Sequence, residues 1–412
     1  MSILDDIGSV ELWKAFLENR EQKVSFPERL RKQLEKILDE KLYTGFAEEI
    51  RTSRFYERIP VKKLVAKSGK AKKRTVYYYT GITGCLLKFI NWRLSQYSGL
   101  FSADLYSFSD TRNAKSAIAK LLGIKDLKKY YIYKLDISDY FNSIDQEILI
   151  PELEEALPDR DLTDFFRKVL TKHTFTFEGE IIHEDPGAMA GLPFAGFFAN
   201  FYLRSMDEFF HEAGYHYFRY ADDIMVLCRD HDDCVYVKDV IDSFLRQRHL
   251  RINHDKEKLY LPGESFEFLG VLFDPPTVDL SGVAFRKIKA RIRRQARSIR
   301  RWMLKKDVDV SSALKVMIRK FDRKFFGTQP GELCWAVWYF PWITTDETIR
   351  QVDRYLQQEI RYIATGRHSD RNYRAVSYED MKRFGYRSLV NEYYKYIDMR
   401  KNEDCIHKSG EA

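Results

Sequence analysis

Between Tyr217 and Arg229 the chain reads YFRYADDIMVLCR. Two strand-prone runs meet at a pair of adjacent aspartates, which predicts a hairpin with both carboxylates at its turn. Carboxylates held that close repel unless a cation joins them. Two readings stay open on this stretch alone. Aspartate favours turns for backbone reasons, so the pair can be a solvated turn. It can equally be built for a positive ion, and hard oxygen ligands of this kind suit Mg²⁺.

A third carboxylate bears on the choice. In YKLDISDYFNSID, Asp136 ends an apolar strand over YYIYKLD, and Phe141 follows ahead of a helix over SIDQEILIPELEEAL. Ser143 and Gln146 stand at capping-box spacing at that helix start. Neighbouring strands of one sheet would bring Asp136 close to Asp222. Such a cluster could hold two Mg²⁺ ions about 3.5–4 Å apart, one activating an attacking oxygen and one stabilising the leaving oxygen. Asp136 as a turn cap and Phe141 as core are the plainer alternatives.

The rest of the chain supplies the frame. Residues 1–50 carry apolar positions at helical spacing (Leu30, Leu34, Ile37, Leu38, Leu42). IPVKKLVAKSGKAKKRTVYYYT reads as a cationic hairpin turning at SGK, and helical patterning returns over Leu86–Leu94 and Ala114–Leu122. TFTFEGEIIH predicts a hairpin, GLPFAGFFANFYLRSMDEFF a glycine-rich loop running into a helix, Cys234–His249 a helix, and FEFLGVLF strands. Pro275 and Pro276 mark a boundary candidate. The basic run FRKIKARIRRQARSIRRWMLKK beyond it has an apolar stripe of Ile288, Ile292, Ala296, Ile299 and Met303.

Composition narrows the partners. A chain of 412 residues with net charge +8 suits a polyanion. Cys85, Cys228, Cys234, Cys334 and Cys405 are scattered and form no metal-type CxxC pair, which predicts reduced thiols. The start, MSILDDIGSVELW, is acidic and lacks the apolar core of a signal peptide. No apolar run reaches the roughly 18 residues of a membrane span. The expectation is a cytoplasmic protein without membrane contact.

In order along the chain, KLDISDYF, AGLPFAGFFANFYL, FRYADDIMVL, LRINHDKEKL and FEFLGVLF resemble motifs A to E of reverse transcriptases. They look like the bacterial branch holding group II intron, retron and defence-associated enzymes. The resemblance covers roughly residues 50–275 and implies an α+β right-hand polymerase with a ferredoxin-like antiparallel palm. In that scheme 1–50 is a helical extension and 51–130 the fingers, with 146–185 contributing. The palm with motifs A to E is 131–275, and 280–412 is a basic helical thumb.

The same resemblance implies roles. Asp136 and Asp222 would ligate two Mg²⁺ ions (Mn²⁺ may substitute), with Asp223 completing the cluster and the Ile137 carbonyl helping. Phe141 would pack under the incoming sugar and exclude a 2′-hydroxyl, selecting dNTPs. Arg74, with Lys63 and Lys73 as weaker candidates, would neutralise the triphosphate. Gly191 and Pro193 belong to the loop that touches the nucleotide. Lys256 would protonate the leaving pyrophosphate, although Lys258 stands two positions away. Phe268, Leu269 and Gly270 would form the primer grip, and Arg293, Arg294, Arg297 and Arg301 would meet nucleic acid, as a basic helix face does.

Departures matter. The motif B run from Ala190 to Gly196 lacks the usual glutamine and small polar residues, so that loop is unusually apolar. A VTG triplet after FLG and an NAxxH before motif A, both expected of retron enzymes, are missing. The expectation is therefore an RNA-directed DNA polymerase of the defence-associated group. It would copy a structured non-coding RNA into nascent DNA against bacteriophage, with a homo-oligomer or a second defence protein as further partners. Alternatives are a retron or diversity-generating enzyme, an RNA-dependent RNA polymerase, and an inactive polymerase fold serving as an RNA-binding scaffold.

Overall fold

The computed structural model describes residues 2–22, 26–66, 73–108, 112–327 and 334–409. Two compact units divide the chain, Met1–Gly263 and Glu264–Ala412. The SGK turn lies outside the described residues, as does the side chain of Cys405. Strands of the first unit are β1 (Val61–Ala66), β2 (Lys73–Tyr78), β3 (Tyr131–Asp136), β4 (Thr174–Phe177), β5 (Glu180–His183), β6 (His216–Tyr220), β7 (Asp223–Cys228) and β8 (Lys258–Tyr260). The second unit has β9 (Phe266–Phe268), β10 (Val271–Asp274) and β11 (Thr277–Leu280).

The sheet that positions the site has the order β6-β7-β3-β8, antiparallel throughout. Chain connections between β3 and β6 and between β7 and β8 run through helices, and the β6–β7 hairpin inserts β7 beside β3. This is the ferredoxin-like arrangement, and the architecture is α+β. Its strands read as near-continuous apolar runs because β7 is central and buried from Ile224 to Cys228. Residues 104–106 lie along the outer side of β6, with Arg219 N–H donating to Asp104 O and Tyr106 N–H to Arg219 O.

A second sheet has the order β2-β1-β4-β5. Helices Val10–Glu21, Glu28–Asp39 and Gly81–Arg93 fill out the N-terminal part, where Trp13 stacks on Phe89 at 4.2 Å. Leu34 and Ile37 of the expected stripe are buried, while Leu30, Leu38 and Leu42 pack on the same core from its margin.

Local expectations needed three corrections. The helix Gln146–Ala156 is capped by Asp145, whose side chain accepts from Glu147 N–H at 2.8 Å. Ser143 instead donates to Ser138 O, and Gln146 reaches Gly187 O at 2.7 Å. An aspartate one residue before the helix outcompetes the more distant serine. The helix placed over Cys234–His249 runs from His231 to Gln247, because Asp230 caps it by accepting from Asp233 N–H. The helix expected from Leu86 begins earlier, at Gly81.

In the second unit, β9 and β10 pair across a two-residue turn, Leu269–Gly270. Pro275 and Pro276 form the turn between β10 and β11, inside this unit. The helix Gly282–Lys306 follows, and all five residues of its predicted stripe are buried. Cys85, Cys228, Cys234 and Cys334 are free and buried. Among the described residues, no helix is long and apolar enough to cross a membrane.

Candidate active site

Register brings the carboxylates together. Asp136 at the end of β3 pairs directly with Asp223 at the start of β7, and Ile137 N–H donates to Asp222 O at 3.1 Å. The turn between β6 and β7 is Ala221–Asp222, with Tyr220 paired to Asp223. Ala221 takes φ of 56°, a left-handed conformation that costs a non-glycine residue about 1–2 kcal/mol. Such strain persists only where the surroundings over-determine it.

Those surroundings are a buried polar network. Ser107 Oγ accepts from Ala221 N–H at 2.9 Å and donates to Asn200 Oδ1 at 3.0 Å, while Asn200 Nδ2 donates to Ser107 O at 2.7 Å. Arg219 is fully buried; it donates to the carbonyls of Ala221, Ala199 and Asn200 and is paired with Asp207. Tyr217 O–H donates to the same carboxylate at 2.8 Å. The hairpin turn is thus fastened to the helix Ala195–Tyr202 on one side and to residues 104–107 on the other.

The electrostatics of the cluster favour a cation. Burial, then repulsion from Asp136, raises the Asp222 carboxyl above the usual range. Burial pushes Asp223 up to about 6, against the pull of Lys134, whose Nζ lies 3.3 Å away. Lys256 Nζ sits 2.6 Å from Asp136 Oδ1, and Asn253 N–H holds the Asp136 carbonyl at 2.8 Å. Lys258 is elsewhere, on β8 opposite Lys134. The donor type suits a hard divalent ion, and the raised carboxyls are what an ion would relieve. Among the described residues, however, no three His, Cys, Asp or Glu side chains gather closely enough to hold one, and two lysines supply the counter-charge.

Around this cluster the structure collects Arg74 and Phe141, while Gly191 lies against β2. The Arg74 guanidinium lies 5.9 Å from the centre of the Phe141 ring and is close enough to Asp222 to favour its charged form. Gly191 has φ of 107°, and a Cβ there would lie 2.8 Å from Tyr77 O, so the loop can approach β2 only as glycine. Pro193 is half-buried in the same loop. On the β1–β2 ladder Lys63 pairs with Val76 and Val65 with Arg74, which puts Lys63 and Arg74 on one face. Lys73 therefore projects from the opposite face, away from the others.

In the second unit Phe268 is fully buried, so of the expected grip only Leu269 and Gly270 are accessible. Arg294, Arg297 and Arg301, with Arg300, Leu304 and Tyr362, line a cavity of about 520 Å³. Arg293 is not part of its lining. No acidic side chain lines it, and among the described residues no carboxylate pairs with Arg294, Arg297 or Arg301. Arg300 is held by the Ile363 carbonyl at 2.7 Å. The sequence reading missed Arg219, Asp207, Asn200, Ser107 and Asn253. The only sequence signal was an arginine and an asparagine inside otherwise apolar runs.

The family described as reverse transcriptase (RNA-dependent DNA polymerase) matches residues 65–273. The chain belongs to the reverse transcriptase family. This is a nucleotidyltransferase domain, an RNA-directed DNA polymerase by family. Among solved structures, apo telomerase from Candida tropicalis truncated from its C-terminal domain is similar at 15% identity and a TM-score of 0.43, covering 55% of each chain. Telomerase from Candida albicans with a TWJ fragment of telomeric RNA is similar at 11% identity and a TM-score of 0.44, covering 87% of this chain and 70% of that one. The reverse transcriptase described here thus spans about half the length of the first of these. No curated protein matches it.

Proposed function

We propose that the protein is an active RNA-directed DNA polymerase that joins a primer 3′-hydroxyl to the α-phosphate of a dNTP and releases pyrophosphate. The observation that carries this is the direct pairing of Asp136 with Asp223 beside the strained Ala221–Asp222 turn. Asp136 and Asp222, with Asp223 behind them, would hold Mg²⁺, which when bound activates the attacking oxygen and stabilises the leaving one. Arg74, with Lys63 on its face of the ladder, orients the triphosphate. Phe141 occupies the space a 2′-hydroxyl would need. Lys256 carries a proton within reach of the leaving group once it lets go of Asp136. Arg294, Arg297 and Arg301 meet nucleic-acid phosphates.

The template in this reading is an associated non-coding RNA, and the setting is the cytoplasm of a bacterium under phage attack. The missing retron signatures support that branch. The test is incorporation of labelled dNTPs by protein purified with its RNA, in Mg²⁺ and without added template, beside Asp222→Ala/Asp223→Ala. Product from the wild type alone supports the polymerase, and sequencing it identifies the template. RNA bound without product from either protein sinks it.

A second reading keeps one specific observation in its favour. Lys256 pairs with Asp136 and Lys134 with Asp223, so two of the three carboxylates already have a counter-charge from the chain itself, which suits an RNA-binding scaffold. Mg²⁺ that fails to displace Lys256, read by calorimetry, favours the scaffold.

A further inference from the structure

Phe108 is the most exposed phenylalanine beside the acidic cluster. The residue is 61% exposed although its backbone takes φ of 51°, a conformation bulky side chains rarely adopt. The internal contacts of the ring cover only part of it, so a strained backbone that leaves the rest in water points to an external contact.

What fixes the ring is local and rigid. Its neighbour Ser107 is buried and bonded both to Asn200 and to the Ala221 N–H of the aspartate turn. The ring itself lies on Gly196 of the helix Ala195–Tyr202. A Cβ at Gly196 would meet Phe108 Cγ at 2.5 Å, so only glycine admits it. Edge-on at 6.0 Å and 87° stands Phe141, with Arg74 beyond it. An aromatic face is thus held next to the sugar-excluding ring and tied to the turn carrying Asp222.

We infer that Phe108 is the stacking platform for a nucleobase in the polymerase site, supplying the contact that the apolar motif B loop lacks. This rests on the polymerase reading. Flat aromatic faces hold any of the four bases with little sequence preference, which suits a residue that must serve every templated addition. The shared chemistry is the base π-face, and its source is either the incoming nucleotide or the templating strand.

Steady-state incorporation on a primed homopolymer separates these. Phe108→Ala is expected to raise the KM for dNTP about tenfold, the size of one lost base stack, while kcat moves less than about twofold. Phe108→Trp should restore the KM, which a purely structural role would not require. Gly196→Ala should copy Phe108→Ala, since its methyl displaces the ring. An unchanged KM for dNTP with about tenfold weaker binding of the primed template by Phe108→Ala supports the platform with the templating base as its ligand. If Phe108→Ala leaves both constants unchanged in an active enzyme, the inference is overturned alone. A wild type that incorporates nothing overturns the polymerase reading, and this inference with it.

Discussion

Arg219 and Asp207 face each other with no solvent on either side chain, the guanidinium Nε 2.6 Å from a carboxylate oxygen. The pair sits one strand residue away from the turn that presents Asp222, and its remaining donors hold the carbonyls around that turn. Burying two charges costs several kcal/mol each, so breaking the pair is worse than never having made it. Arg219→Leu or Asp207→Leu should each lose about 3–5 kcal/mol in urea denaturation at pH 7. The double variant should be more stable than either single one. A double variant showing the sum of both losses would count against the pair as an electrostatic unit.

Lys256 and Lys258 are told apart by position. Lys256→Met should lower kcat roughly a hundredfold, the scale of a lost general acid. Lys258→Met should leave kcat unchanged. Equal effects from the two substitutions would rule out the assigned proton donor.

On the proposed reading, Phe141→Ala opens the space beneath the sugar. Ribonucleotide incorporation relative to dNTP should rise on the order of tenfold, about 1.4 kcal/mol of discrimination. Competition assays with paired rNTP and dNTP read this directly; an unchanged ratio would move sugar selection to another residue.

The arginine-lined cavity predicts a salt effect. Replacing Arg297 and Arg301 by glutamine should weaken nucleic-acid binding uniformly across sequences and reduce the slope of log K against log salt by roughly two. Fluorescence anisotropy across a salt series checks it, and an unaltered slope would mean these arginines meet no phosphate.

Asp233 contributes to the acid sensitivity of the fold near the sheet. Bonding to the Arg229 side chain, helped by the Arg229 N–H and Tyr215, holds its carboxyl at about 2 against burial. A depressed folded-state pKa means stability that is fully present above the unfolded value of roughly 4. It is lost as pH falls from there through about 2. Asp233→Asn should therefore lower the melting temperature at pH 7 and flatten its fall between pH 4 and 2. A parallel fall in both proteins would assign the acid sensitivity elsewhere.

The acidic cluster was legible because apolar strand-prone runs ending in Asp136 and flanking a two-aspartate turn are local signals, whereas which strands pair is not. Arg74 was reached only through the resemblance to reverse transcriptase motifs. Lys73 stands next to Arg74 on one strand and so faces the other way, while the face Lys63 shares with Arg74 depends on the register between β1 and β2. The Ser107–Ala221 bond joins residues 114 positions apart, and no local pattern announces it. Arg219 looked like one more basic residue in a strand, although burial makes it the bracket of the turn. At the helix start after Phe141 two capping residues competed, and spacing alone did not reveal that Asp145 would win.

The strip of chain at residues 104–106 has a consequence for how copies of this protein can meet. By occupying the outward amide and carbonyl of Arg219, it finishes one border of the palm sheet, and β8 at the other border is only three residues long. A sheet hemmed in this way offers little backbone for a second chain to zip onto. The hairpin bearing the aspartates is therefore shielded from fibril-type growth through the borders of its own sheet, and a second copy would have to approach this sheet by its faces.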